Sequence, residues 1–133
     1  MKKRSLLDSF AVIAFLKKER NFHLVVDRLR EAEAEKRHLF MNHINAGEVY
    51  YQVKKKNLAP DFNKFWETFL SLPIEFISND FALVVEAAKI KSRYTLSFAD
   101  CFAAATAIRE KAAIITGDPE FKQLEEEVDI EWI

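Results

Sequence analysis

Four carboxylates stand where acids can act together in this 133-residue chain: Asp8, Glu48, Asp100 and Asp118. Asp8 ends a short apolar run, and Asp118 follows the apolar stretch AAIIT. Glu48 and Asp100 each fall in the first turn of a segment that reads as helix. The segment around Asp100, LSFADCFAAATAIREK, is apolar on nearly every side, which marks a buried helix. An ionised carboxylate there is costly unless it is paired, hydrogen-bonded or bound to a metal. Two carboxylates about 4 Å apart repel by roughly 4 kcal/mol at an effective dielectric near 20. Helix N-termini offset part of that repulsion and a divalent cation offsets more. Hard, all-oxygen ligands suit Mg²⁺ or Mn²⁺, ions that activate water and stabilise charge on phosphate oxygens. His23, His38 and His43 show no zinc-type spacing with Cys101.

Each acid also has a purely local use. Asn45-Ala-Gly-Glu48 and Ser97-Phe-Ala-Asp100 both read as capping boxes, Asp118-Pro119 as a helix start, and Asp8 as the cap of its own helix. Convergence is favoured by the serial placement of the acids at strand ends and beside a buried helix, which capping does not require. The elements that must position them follow from periodicity. Strands are expected at 5–8, 38–42, Glu75–Ile77, Ala113–Thr116 and about 129–132. Helices are expected at 10–19, 21–35, 45–56, through the stripe Phe62, Phe65, Trp66, Phe69 and Leu70 up to Pro73, at 80–92 with Leu83, Val84, Ala87, Ala88 and Lys91 on one side, at 96–111, and briefly from Pro119. Strands alternating with helices imply an α/β domain with a parallel sheet covered on both faces. In such a fold, strand C-termini and helix N-termini share one edge, where ligands bind.

Composition agrees. Half of the residues are hydrophobic and twelve are Phe, so 1–133 is expected to fold as one domain with a real core. Two Gly and three Pro suit helices joined by short connections. A net charge of -1 excludes a general electrostatic grip on nucleic acid, leaving only a local basic strip. The single Cys101 forms no internal disulfide and reads as a core residue in a reducing compartment. No apolar run reaches membrane-spanning length. MKKRSLLDSFAVIAFL starts like a signal peptide, but Asp8 interrupts its apolar stretch and no small-residue cleavage site follows. Mature structure in the cytoplasm is expected.

The segments LLDSFAVIAFL, NAGEVYYQV, LSFADCFAAATAI and ITGDPEF, in this order and spacing, resemble the four acidic motifs of PIN domains. More closely they resemble those of VapC-type toxins from bacterial and archaeal toxin–antitoxin pairs, over essentially the whole chain. The resemblance implies a three-layer α/β/α sandwich with a central parallel sheet. It implies Mg²⁺- or Mn²⁺-dependent endonucleolytic cleavage of RNA by metal-activated water. Asp8, Glu48 and Asp100 would be the core metal-binding acids and Asp118 the fourth, more variable one. Ser9 and Thr116 would be hydroxyls that orient the site. An antitoxin would cover the groove and place a basic side chain among the acids, and a homodimer is expected. One departure is Phe10, where relatives more often carry a small polar or β-branched residue. It either points into the core or narrows the cleft.

Two competing readings belong to other classes. One is a catalytically silent PIN-like binding module, against which the presence of all four acids counts. The other is a Mg²⁺-dependent phosphoacceptor domain. That needs a nucleophilic Asp after the third strand and an acidic pair at the first, and neither IEFIS nor the surroundings of Asp8 supply them. A haloacid-dehalogenase-type phosphatase would want an Asp where Phe10 stands. Lys54, Lys55 and Lys56 read as a solvated helix end complementing the dipole, with phosphate binding as the functional alternative. Lys89, Lys91 and Arg93 would add to a basic strip only if the fold brings them close. Part of the aromatic stripe is a candidate partner surface.

Overall fold

The computed structural model describes residues 2–133. The elements run β1 (Lys3–Leu7), α1 (Ser9–Leu16), α2 (Phe22–Glu33), β2 (Arg37–Asn42), α3 (His43–Lys55), α4 (Phe62–Leu70), β3 (Glu75–Ile77), α5 (Phe81–Arg93), α6 (Phe98–Glu110), β4 (Ala113–Thr116), a 3₁₀ helix (Pro119–Leu124) and β5 (Ile130–Trp132). The five strands form one sheet in the order β3-β2-β1-β4-β5, and every pairing is parallel. Leu6 lies opposite both Phe40 and Ile114, and Leu7 opposite Ile115. Alternation along β1 therefore sends Leu6 to one face and Leu7 to the other. Leu6, Phe40 and Ile114 pack with Leu83, Ala87 and Ile90 of α5 and with the buried face of α6. Leu7, Leu39, Met41 and Ile115 pack with Ala11 of α1, Val25 of α2, Val49 of α3 and Phe69 of α4. This is the expected three-layer α/β/α sandwich.

The helix boundaries are set by caps, and several differ from expectation. Asn42 Oδ1 accepts from the Ile44 amide at 2.7 Å, so α3 starts at His43 rather than Asn45. Glu48 consequently sits in the second turn, and Asn45 is no cap. Helix α1 closes at Leu16, with Lys18 in the left-handed region at φ 50°. Helix α4 ends at Leu70, before Pro73 is reached, where the Ser71 hydroxyl donates to the Thr68 carbonyl. In α5 the buried positions are Leu83, Ala87 and Ile90, spaced four and three apart. Ala88 and Lys91 fall one step further round and are exposed. Helix α6 is buried from Cys101 through Ala107, but its ends are not: Phe98 and Ile108 are exposed.

Polar groups tie the layers at two places. Buried Asn42 and half-buried Asn79 exchange amide hydrogen bonds, and Asn42 Nδ2 also donates to Thr106 Oγ1 at 2.8 Å, linking β2 to α6. At the opposite end of the sheet, Arg37 is fully covered. Its guanidinium donates to Glu31 at 3.0 Å, to Glu131 at 2.9 Å and to the Ser5 hydroxyl. Arg28 also donates to Glu131 at 3.0 Å, so β1, β2, β5 and α2 share one charged knot.

Candidate active site

The C-terminal ends of β1 and β4 lie side by side, and the acids that follow them are turned into helix starts. Asp8 is the N-cap of α1: its Oδ1 accepts from the Ala11 amide at 2.9 Å. Its Oδ2 accepts from the Thr116 hydroxyl at 2.5 Å. Thr116 in turn accepts from the Asp118 amide at 3.0 Å, so one hydroxyl registers both acids. Asp118 caps the 3₁₀ helix, its Oδ1 accepting from the Glu120 amide at 3.0 Å. Asp100 stands in the first turn of α6, where its amide donates to the capping Ser97 hydroxyl at 3.1 Å. Capping and convergence are thus not rivals. The caps lock three carboxyl-bearing backbones at one edge of the sheet.

Glu48 arrives from α3. Its Oε1 accepts from the Ser9 hydroxyl at 2.9 Å and from Asn45 Nδ2 at 3.3 Å. Asn45 Nδ2 also donates to the Ala99 carbonyl at 3.1 Å, bracing α3 against the start of α6. Both donors point Glu48 at the same cleft. That cleft, of about 280 Å³, is lined by Ser9, Phe10, Glu48, Ser97, Asp100 and Asp118, with Lys17 and Lys56 at its rim.

Crowding has electrostatic consequences. Burial pushes the Asp8 carboxyl up to about 7, against the Thr116 and Ala11 hydrogen bonds that pull it down, with Asp100 and Asp118 adding to the rise. Burial likewise pushes Asp100 up to about 6, against the Ser97 hydrogen bond, with Asp118, Glu48 and Glu120 repelling its charge. The other three expected acids therefore lie within electrostatic reach of Asp100.

The structure adds two residues that the sequence reading did not assign to the site. Glu120 brings a carboxylate oxygen to the cluster: oxygens of Asp100, Asp118 and Glu120 lie within 4.8 Å of one another. Its signal was available, since it stands two residues after Asp118 in the first turn of the same helix. Asn45 was read as a cap, yet it is fully buried and its Oδ1 is the one buried side-chain polar atom without a partner among the described residues. An all-oxygen cluster of mutually repelling carboxylates is a donor set that fits a hard divalent cation. Asp8 is 1 % exposed and has both oxygens engaged, so it stands behind this cluster rather than in the cleft wall.

Other expectations resolve here. Phe10 lines the cleft and is 38 % exposed, so it narrows the cleft. Of the three lysines, Lys56 reaches the cleft rim, while Lys54 sits over the rings of Phe62 and Tyr50, at 5.1 and 6.0 Å. Lys89 and Arg93 line a different groove with Arg109 and Glu127 and do not join the acids.

The PIN domain family profile matches residues 5–127. No curated protein matches the sequence significantly. Among solved structures, VapBC from Salmonella typhimurium bound to DNA is similar with a TM-score of 0.75 at 18% identity, covering 98% of both chains. VapBC2 from Rickettsia felis bound to a promoter DNA fragment gives 0.73 at 19%, covering 96% of this chain and 97% of that one. The sarcin-ricin loop cleaving toxin VapC20 of Mycobacterium tuberculosis gives 0.70 at 16%, covering 90% and 93%. At these identities the likeness is one of fold.

Proposed function

The chain belongs to the PIN domain family, and we propose that it is a Mg²⁺- or Mn²⁺-dependent endoribonuclease, the toxin of a toxin–antitoxin pair acting in the cytoplasm. The observation that carries this reading is the meeting of Asp100, Asp118 and Glu120 oxygens within 4.8 Å of one another, at a cleft that Asp100, Asp118 and Glu48 line. The similar fold of a toxin that cleaves an RNA loop, VapC20, supports RNA as the substrate class.

Asp100, Asp118 and Glu120 would hold the cation, with Glu48 and Asp8 beside them as direct or water-mediated ligands. A bound divalent ion supplies Lewis acidity: it lowers the pKa of water and stabilises charge on phosphate oxygens. The remaining work belongs to the chain. Ser9 and Asn45 aim Glu48 at the cleft, where its free oxygen can orient the attacking water. Thr116 holds Asp8 and Asp118 in register. Lys56 and Lys17 stand where the phosphates flanking the scissile bond would pass, opposing the repulsion between the acids and the RNA backbone.

An antitoxin and a second copy of the chain are proposed partners. Two apolar grooves flank α4. One, of about 470 Å³, is lined by Val12, Phe15, Leu16, Phe65, Phe69 and Leu72. The other, of about 460 Å³, includes Ala46, Tyr50, Trp66 and Leu70. Apolar surface of this kind is typical of protein interfaces.

The decisive experiment is RNA cleavage by the purified protein with Mn²⁺, with EDTA, and by Asp100→Asn. Cleavage is expected with Mn²⁺ alone. Asp100→Asn is expected to lower the rate at least 100-fold while keeping the far-UV circular dichroism spectrum. A variant cutting at the wild-type rate would overturn the assignment.

A further inference from the structure

Phe10 is an apolar ring standing in a wall of acids and hydroxyls. It directly follows Asp8 and Ser9, lines the cleft with Glu48, Asp100 and Asp118, and remains 38 % exposed. No aromatic ring of the described residues packs against it, whereas the rings of Tyr50, Phe62, Trp66 and Phe69 pack against one another, edge-on, tilted or stacked. Its outer edge nonetheless rests against Gly117. A Cβ placed on Gly117 would meet Phe10 Cε1 at 2.5 Å and Cζ at 3.1 Å, so the ring edge occupies the space that any other residue at 117 would fill. Gly117 lies between Thr116 and Asp118, the two residues that register the site. The ring is therefore seated on the very turn that carries a site carboxylate, with part of its apolar surface left in water.

Resting on the nuclease reading above, we propose that Phe10 is the stacking platform for an unpaired base next to the scissile phosphate. An exposed, edge-anchored ring offers a flat apolar surface at little ordering cost. Base–aromatic stacking tolerates every base because each has a π face. Duplex RNA cannot offer such a base without unstacking it. Lys56, which makes no ion pair among the described residues, sits at the rim of the same cleft to meet the adjoining phosphate, while Lys17 is engaged by Glu19 at 3.0 Å. The arrangement makes Phe10 a specificity-determining residue that acts on substrate position, not on the cation.

The test measures binding of a short fluorescein-labelled single-stranded RNA, and of the same strand with abasic sites, in Mn²⁺. All proteins carry Asp100→Asn so that nothing is cut. Phe10→Leu, which keeps bulk against Gly117 and loses the aromatic face, is expected to weaken binding of the normal strand roughly 5- to 100-fold, as loss of one stack implies. Phe10→Trp is expected to bind at least as tightly as the parent. Abasic RNA is expected to bind parent and Phe10→Leu equally. Equal affinity of parent and Phe10→Leu for the normal strand overturns the inference, while the nuclease reading survives if the Asp100-intact protein still cuts RNA. Failure of the wild type to cut any RNA overturns both.

Discussion

Burial, assisted by the charges of Asp100 and Asp118, pushes the Asp8 carboxyl of the metal-free protein up to about 7. The ordinary value is 3.8, so between about pH 4 and 7 the folded chain binds more protons than the unfolded one. Stability of the metal-free protein must then fall as pH rises through that window, and Asp100, pushed up to about 6, adds a fall of the same sign. Asp8→Asn removes the titration while keeping an oxygen for the Ala11 amide. It is expected to raise stability at pH 7.5 by about 1–3 kcal/mol in urea unfolding and to flatten the pH slope, with loss of RNA cleavage. Residue types alone pointed to Asp8, Glu48, Asp100 and Asp118 as a possible group. They did not distinguish Asn45 the cap from Asn45 the buried brace, since an Asn before a helical run serves either way. Glu120 escaped because an acid in a first turn is an ordinary companion of the helix dipole.

Among the elements, strand order and helix ends carry the positioning. The short apolar runs between amphipathic stretches that predicted five strands and their flanking helices were legible because a parallel sheet buried on both faces leaves little room for polar residues. Helix starts were less legible where two capping residues lie close together. Asn42 and Asn45 both qualify, and the reciprocal amide pair with Asn79, together with Thr106, selects Asn42. The charged knot around Arg37 joins elements that the sequence shows only as separate charges. Burial pushes the Glu131 carboxyl up, but the Ser5 hydroxyl and the Arg37 and Arg28 guanidiniums outweigh it and hold the carboxyl below its usual value. Arg37→Met leaves the partly exposed Arg28 as the one cation that Glu31 and Glu131 still share. Both acids are about one-third exposed, which tempers the penalty, and a loss of about 2–3 kcal/mol is expected in urea unfolding. Arg37→Met/Glu131→Leu should lose less than the sum of the two single changes.

For the whole molecule, the acidic edge makes folding and cation binding partners in one equilibrium. A cation binds only carboxylates that have given up their protons, so the Mn²⁺-induced rise in melting temperature should be larger at pH 7.5 than at pH 5, and EDTA should abolish it. Equal shifts at both pH values would show that Asp8 and Asp100 do not participate. The amino-acid order by itself determined the layered α/β architecture, since short apolar runs and the 3.6-residue period are local signals that alternate along the chain. It also marked Asp8, Asp100 and Asp118 at strand ends and helix starts, whereas Glu48 stands one turn further into α3 than expected. Only the tertiary structure decided that β1 and β4 are neighbours, that one Thr116 hydroxyl serves two acids, that Glu120 completes the oxygen cluster, and that Phe10 rests on Gly117. The β1–β4 pairing, the Thr116–Asp8 bond and the Phe10–Gly117 contact join residues about a hundred positions apart, and no local pattern encodes a distance that the packing of the sheet alone sets.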